Sequence, residues 1–321
     1  MEVKDALLQA TTAGVRTIMV TGDNIRTAEA IGKELGFLEQ PGLVKGKVLE
    51  GKEFAKMSDE EITKILEEIA IIGRCAPEDK LRLVQLLQKK GYVVATTGDG
   101  VNDALAIKQA DIGIAMGKTG TDVSKEASDM VLADDNYATI VAAIEEGRRI
   151  YRNIRNAIHY LISTNIGEIL AIVGAIVLFP AGEVPRTPAM ILWINLVTDG
   201  LPALALATDV AHPKMMQEKP RQGGVGIIRG RDWFELGGYG IAIAAVTLIT
   251  FWIGMEMGGV ELGRTLSFIS IVFMQLVRMV LIRRALPFNN KYVALVLIGT
   301  VLVQLFASLW PPMRILLGIV E

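Results

Sequence analysis

Residues 157–179 run for 23 positions with a single formally charged side chain, Glu168. A hydrocarbon core about 30 Å thick is crossed by about 20 helical residues, so this stretch is long enough to span a bilayer. Lipid admits only helices or closed barrels, because backbone N–H and C=O groups find no water there. Asn165 and Glu168 sit in the middle of the stretch. A charged side chain near the bilayer centre costs about 2.5–3.5 kcal/mol even on insertion scales, so Glu168 requires a partner or a purpose.

The charge is divided unevenly. Residues 1–155 hold 21 of the 33 Lys and Arg and 25 of the 35 Asp and Glu, although 51% of the whole chain is hydrophobic. A charged, water-facing first half therefore precedes a membrane half. Spans are expected at 157–179, 189–208, 236–256, 265–282 and 292–309, with a short tail at 311–321. A stalk helix is expected over 137–156, and a soluble domain over 1–136. The 209–235 connection carries Lys214, Lys219, Arg221, Arg229 and Arg231, and 283–291 carries Arg283, Arg284 and Lys291. The opposite loops, 180–188 and 257–264, carry only Arg186 and Arg264. The positive-inside rule then places the soluble half in the cytosol, as part of a multi-pass membrane protein. The plasma membrane is expected over an organelle, since no sorting signal is visible. The start, Met-Glu-Val-Lys-Asp, lacks the apolar core of a signal peptide, so the later spans should drive insertion. Cys75 is the single cysteine, which precludes an internal disulfide. Nothing resembles a nucleic-acid-binding patch.

The first half alternates strand and helix patterns. Strands are expected at 16–21, 71–74, 92–97, 111–116 and 129–132. Asn24 caps a helix that stops at Gly36. Ser58 and Glu61 form a capping box before an apolar helical face of Ile62, Ile65, Leu66 and Ile69. Pro77 suits the first turn of a helix ending near Gly91. Strands spaced by helices imply a parallel sheet, with a site at the strands' carboxyl ends.

Residues 97–103, Thr-Gly-Asp-Gly-Val-Asn-Asp, follow an apolar strand. Mg²⁺-assisted phosphoryl transfer needs carboxylates for the metal, a cation on the phosphoryl oxygens, and hydroxyl or backbone donors around them. Asp99 and Asp103 flank Asn102 on a glycine turn that lets backbone approach a ligand. Thr21-Gly22-Asp23 ends another strand with a hydroxyl and a carboxylate, and the Lys80 ammonium could reach a phosphate.

These segments resemble the α/β, haloacid-dehalogenase-like phosphorylation domain of P-type ATPases. Thr21-Gly22-Asp23-Asn24, residues 74–80 and residues 97–103 carry the resemblance. It implies that Thr21 and Lys80 contact the phosphoryl group, that Asp99 and Asp103 hold Mg²⁺, and that Gly22, Asp23, Arg74 and Asn102 line the ATP side. The family's nucleophile, the Asp of Asp-Lys-Thr-Gly-Thr, is not in this sequence. Gly117-Lys118-Thr119-Gly120-Thr121 imitates that motif with glycine at the nucleophile position, and reads as a decoy turn. The chain alone is expected not to hydrolyse ATP. The missing N-terminal portion of the same pump would supply the nucleophile, the nucleotide-binding and actuator domains and the early spans.

In the membrane half, Asn165 and Glu168 are three apart, and Asn195, Thr198 and Asp199 lie at i, i+3, i+4, each set on one helical face. Gly200 and Pro202 can open the second helix and free carbonyls. Hard oxygen donors without Cys or His suit Ca²⁺ over a soft metal. Residues 192–203, Leu-Trp-Ile-Asn-Leu-Val-Thr-Asp-Gly-Leu-Pro-Ala, are similar to the Ca²⁺-transporting branch of the same family. So are residues 160–168 and the Met216…Pro220-Arg221 loop. This implies a helical bundle in which Asn165, Glu168, Asn195, Thr198, Asp199 and Gln275 coordinate transported Ca²⁺. Gln275 stands where the sarcoplasmic-reticulum type has a glutamate, keeping an oxygen but losing a charge. Arg278, near a cytoplasmic end, is expected to snorkel.

Three alternatives remain at this point. One is the same machine with Mn²⁺ or Na⁺/K⁺ as cargo. Another is a membrane-tethered phosphatase, which would need an Asp-x-Asp-like strand end that the sequence lacks. The third is a non-catalytic assembly protein.

Overall fold

The computed structural model describes residues 2–39, 46–179, 183–212, 214–221, 226–283 and 289–319. The chain forms two compact units, one from 1–147 with 212–225 and the other from 148–211 with 226–321.

The first unit runs α1 (Glu2–Thr12), β1 (Met19–Val20), α2 (Ile25–Leu35), β2 (Lys47–Glu50), α3 (Gly51–Lys56), α4 (Asp59–Ile65), β3 (Ile69–Gly73), α5 (Pro77–Lys89), β4 (Ala95–Gly98), α6 (Ala104–Gln109), β5 (Ile112–Met116), α7 (Asp122–Ala127) and β6 (Met130–Leu132). The local chemistry explains the boundaries. The Asn24 side chain accepts the Arg26 N–H, and Gly36 closes α2 in the left-handed region at φ 88°. Both arms of the Ser58–Glu61 capping box form at α4. Pro77 opens α5, where the missing N–H costs nothing.

The expected single parallel sheet is two three-stranded parallel sheets, ordered β1-β3-β2 and β4-β5-β6. β2 is a strand that the hydrophobic pattern did not announce. β3 is buried at all five positions and packs Ile69 and Ile72 against Leu49, Phe54, Ile62, Leu66 and Leu83. Among the described residues, β1 and β4 pair on one side only. Exposed apolar residues flank β4, among them Val93 at 60% and Ile112 at 41%. Burial pushes the Cys75 thiol up to about 12, with the nearby Asp79 charge adding to it. The thiol is therefore an inert core group.

In the second unit, α8 (Tyr137–Leu178), which begins in the first, continues as one uninterrupted helix. After it come α9 (Pro188–Trp193), a π-helical segment (Ile194–Asp199), α10 (Gly200–Ala207), α11 (Asp232–Arg283), α12 (Lys291–Leu309) and α13 (Pro311–Leu317). Among the described residues, α8, the 188–207 run, α11 and α12 are long and apolar enough to cross a membrane.

At 52 residues, α11 would be about 78 Å long if straight, more than twice a hydrocarbon core. It breaks at Gly258 (φ −158°, ψ 19°) and Gly259 (φ 84°, ψ −176°). A Cβ placed on Gly254 would lie 2.6 Å from the Gly263 Cα, and the Thr250 and Ser270 hydroxyls meet at 2.8 Å. The element is therefore a hairpin of two helices, with the expected spans 236–256 and 265–282 on either side of the turn. Gly259 occupies a backbone region open to glycine alone, where other residues cost about 1–3 kcal/mol. Gly259→Ala is expected to lower the melting transition of the purified protein in detergent. Gly237→Ala, where an added Cβ meets nothing within 4 Å, serves as the control and should cost far less.

Candidate functional site

At the end of β4 the chain turns through Asp99 and Gly100 into a single 3₁₀ turn, Val101–Asp103, and then α6. Asp103 organises this turn from inside. It is 7% exposed, and its Oδ2 accepts the N–H groups of Asp99 and Gly100 at 3.3 Å each. Its Oδ1 receives the Lys80 ammonium at 2.6 Å. Gly98 makes the approach possible, since a Cβ there would stand 2.8 Å from Asp103 Oδ2. The Asp99 carbonyl is held by the Thr121 N–H at 2.8 Å and by the buried Ser124 hydroxyl at 3.2 Å. The Asp99 and Asn102 residues remain exposed.

A second corner forms where β1 meets β3. The Thr21 N–H donates to the Ile72 carbonyl, and the Cys75 N–H donates to the Thr21 carbonyl. The Arg74 N–H reaches the Asp23 carbonyl at 2.9 Å. Thr21 Oγ1 accepts the Asp23 N–H at 3.1 Å. A Cβ on Gly22 would meet nothing within 4 Å, so its backbone is open to approach. Arg74 sits at φ 53° and pairs with Glu50 at 3.5 Å.

A hard cation fits the first corner by its chemistry. Mg²⁺ takes one or two carboxylates and completes its shell with water and phosphate oxygens, and an exposed Asp99 carboxylate beside Asp103 offers that start. Gly117-Lys118-Thr119-Gly120-Thr121 is a turn wrapped on Asp135. That carboxylate accepts the N–H groups of Gly117, Lys118 and Thr119 and the Thr119 hydroxyl. The Lys118 N–H, with the other donors, holds the Asp135 carboxyl down to about 2.

The second site lies inside the helical unit. Tyr160, Thr164 and Glu168 fall on one stripe of α8, at i, i+4 and i+8, and all three are buried. Facing them, the π-helical segment brings Thr198 and Asp199, and α11 brings Gln275. Gln275 Nε2 donates to Glu168 Oε1 at 3.1 Å, while Gln275 Oε1 accepts the Thr198 hydroxyl at 3.0 Å. The Tyr160 hydroxyl lies 3.1 Å from the Thr198 carbonyl and 3.3 Å from Asp199 Oδ1. The Thr164 hydroxyl makes a long 3.5 Å contact with Asp199 Oδ2.

Pro202 explains part of this geometry. It has no N–H for the carbonyl four residues earlier, and that carbonyl belongs to Thr198. The helix is not unwound there, as the Gly200–Pro202 pair suggested. It widens into one π segment instead, a feature frequent at functional sites.

Among the expected ligands, Glu168, Thr198, Asp199 and Gln275 are brought together. Asn195 stands at the rim beside Glu168, with its amide also donating to the Ile191 carbonyl at 2.9 Å. Asn165 is exposed and bonded to its own helix at Leu161. Tyr160 and Thr164 were missed, although their four-residue spacing from Glu168 was visible. Arg278 does not snorkel. It is 2% exposed, lies 3.7 Å from the Tyr239 ring centroid and donates to Ser163 Oγ.

Comparison with known proteins agrees with both halves. Residues 2–111 match the haloacid dehalogenase-like hydrolase family, and residues 183–321 match "Cation transporting ATPase, C-terminus". The chain belongs to the cation-transporting P-type ATPases. It is 41% identical over 98% of its length to the calcium-transporting ATPase of Bacillus subtilis, covering 35% of that protein. To calcium-transporting ATPase 1 of Bacillus cereus it is 40% identical, over 99% of this chain and 38% of the relative. An endoplasmic reticulum-type calcium-transporting ATPase 3 from Arabidopsis thaliana is 45% identical over 81% of this chain and 26% of its own. The chain thus spans little more than a third of the length of the bacterial relatives. Within this P-type ATPase framework, the Asp99–Asp103 turn lies in the hydrolase-like part, and the carboxylate cluster spans α8 and the C-terminal region.

Proposed function

We propose that this chain works within an ATP-driven pump that moves Ca²⁺ across a membrane. One observation carries the reading. Glu168 and Asp199 are buried in apolar helices beside Thr198, Tyr160 and Gln275, a cluster of hard oxygen donors with no sulfur or imidazole among them. Two acids set in lipid-crossing helices are costly as mere packing, and a divalent passenger offsets that cost. The names of the relatives support the choice of cargo.

In this reading Asp99 holds Mg²⁺ in the phosphoryl site, with Asp103 behind it, and the metal neutralises charge on the phosphoryl oxygens when bound. Lys80 and Thr21 address those oxygens. Gly22, Asp23, Arg74 and Asn102 line the ATP side. The nucleophilic Asp comes from a part of the pump outside this chain, and one-sided β1 and β4 offer edges on which additional backbone can pair. Residues 137–156 act as the stalk, and five spans follow. Asn165 joins the cation site when a helix outside this chain covers it. The soluble domain lies in the cytosol, and the plasma membrane is the membrane we assign.

The test is ATP-driven Ca²⁺ uptake into vesicles by the full-length pump carrying Asp199→Asn, which keeps size and removes one negative charge. Uptake is expected to fall by at least about a hundredfold at micromolar Ca²⁺, the loss that follows when a buried ligand charge is withdrawn (about 3 kcal/mol). Uptake at the wild-type level would end the Ca²⁺ reading.

A further inference from the structure

Arg186 lies in the segment that leads into α9. Long cationic side chains near helix ends ordinarily reach outward to water. Arg186 is instead 2% exposed, and its Nε, Nη1 and Nη2 are buried with no hydrogen-bond partner among the described residues. A buried guanidinium with five N–H donors normally forks onto a carboxylate, and leaving it unpaired is expensive.

Its placement is anchored by the backbone around it. The Val184 carbonyl accepts Arg264 Nε at 3.1 Å, and the Pro185 carbonyl accepts the Ser267 hydroxyl at 2.6 Å. The Thr187 hydroxyl donates to the Leu317 carbonyl at 2.9 Å. Thr187 Oγ1 also caps α9 through the Met190 N–H. Residues on both sides of Arg186 are thus tied to the second half of α11 and to α13.

Ser267, which holds the Pro185 carbonyl, stands eight residues before Gln275 on one stripe of α11, about 12 Å along the helix, and Gln275 binds Glu168. Glu168 and Asp199 are the acids whose charge favours the guanidinium against its burial. Both carboxylates take their hydrogen bonds from neutral groups, Gln275 for one and Tyr160 and Thr164 for the other. Arg186 therefore supplies their field with positive charge without closing a direct ion pair. With all three groups ionised, two carboxylates and one guanidinium carry a formal charge of −1. One divalent ion takes the cluster to +1, and a second would take it to +3.

We propose that Arg186 is a tethered counter-charge of the cation site, which restricts the site to one divalent ion and weakens the binding of that ion. This rests on the Ca²⁺ reading of Glu168 and Asp199 given above. When no cation is bound, the guanidinium stands in for it. When one arrives, the two positive charges share the same pair of acids in a poorly screened interior.

Equilibrium binding of radiolabelled Ca²⁺ to the purified full-length pump in detergent tests this, at fixed pH and ionic strength. The wild type is expected to bind one ion. Arg186→Met should bind Ca²⁺ at least about tenfold more tightly, or bind two ions, while Arg186→Lys stays near the wild type. Arg186→Gln is measured in parallel in case the methionine variant fails to fold. Two ions on the wild type would overturn the proposal. So would unchanged or weaker binding, with unchanged ion number, in a folded Arg186→Met or Arg186→Gln protein. Asp199→Asn separates the two levels: if it still binds Ca²⁺ normally, the Ca²⁺ reading itself falls. If it loses Ca²⁺ while the Arg186 variants behave as wild type, only the counter-charge falls.

Discussion

Lys80→Ala in the full-length pump is expected to slow phosphoenzyme turnover by about two to three orders of magnitude, the loss typical when one preorganised charge-stabilising donor is removed. The ammonium stands 2.6 Å from Asp103 Oδ1, at the carboxyl end of β4. Two different roles predict a defect there. In one, Lys80 only neutralises Asp103, and its loss leaves a buried carboxylate supported by two 3.3 Å backbone bonds. In the other, Lys80 also reaches the phosphoryl oxygens. The pair Lys80→Ala with Asp103→Asn distinguishes them, because the amide needs no counter-ion. If neutralisation were the whole role, the double variant would recover most of the turnover lost in Lys80→Ala. If Lys80 addresses the phosphoryl group, the double variant stays as slow as the single one. Lys80→Ala within about threefold of the wild type would remove Lys80 from the reaction altogether.

Features governed by neighbours in sequence were readable from the sequence. Asn24, Gly36, the Ser58–Glu61 box and Pro77 act through bonds spanning four residues or fewer, so residue type and spacing specify them. The Asp99–Asp103 turn belongs to the same class, since Asp103 bonds N–H groups three and four residues back. Other features depend on distant partners. β2, Lys-Val-Leu-Glu, has two apolar residues and exists because Ile69–Gly73 offers it a parallel edge. Periodicity alone does not tell whether six strands join into one sheet or two, because strand pairing is decided across the fold. In the membrane unit the acids were legible because apolar surroundings make them conspicuous. Tyr160 and Thr164 share a stripe with Glu168 but look like ordinary helix residues until Asp199 is placed opposite. The inward course of Arg186 had no local signal, since Ser267 and Leu317, which tie down its flanks, lie 82 and 130 residues from their partners.

Asp209→Ala is expected to destabilise the helical unit by about 3–5 kcal/mol, the cost of breaking a buried ion pair from one side. Asp209 receives Arg283 Nε at 2.7 Å and Nη2 at 2.8 Å on its two carboxylate oxygens. Asn290 adds a third bond at 3.1 Å. The Asp209 backbone carbonyl takes Asn153 Nδ2 at 2.7 Å and Arg149 Nη1 at 2.9 Å. One residue thus ties α8, the chain leaving α10, the end of α11 and the start of α12. Arg283 is 2% exposed, so the alanine variant removes its carboxylate partner where water cannot take its place. Burial pushes the Asp209 carboxyl up, but Arg283 and Asn290 outweigh it and hold the group below the usual carboxylate range. A depressed folded-state value makes this stabilisation complete above the unfolded carboxylate value of about 4, and it is lost as pH falls below that. Melting of the purified protein should therefore separate wild type from Asp209→Ala most widely near neutral pH, and the two curves should converge on acidification. Asp209→Leu combined with Arg283→Met should recover much of the loss, because an apolar pair leaves no uncompensated charge. A gap of less than about 1 kcal/mol at pH 7 would mean that Arg283 finds another acceptor, and that the helix ends are held by the Asn153 and Arg149 bonds to backbone instead.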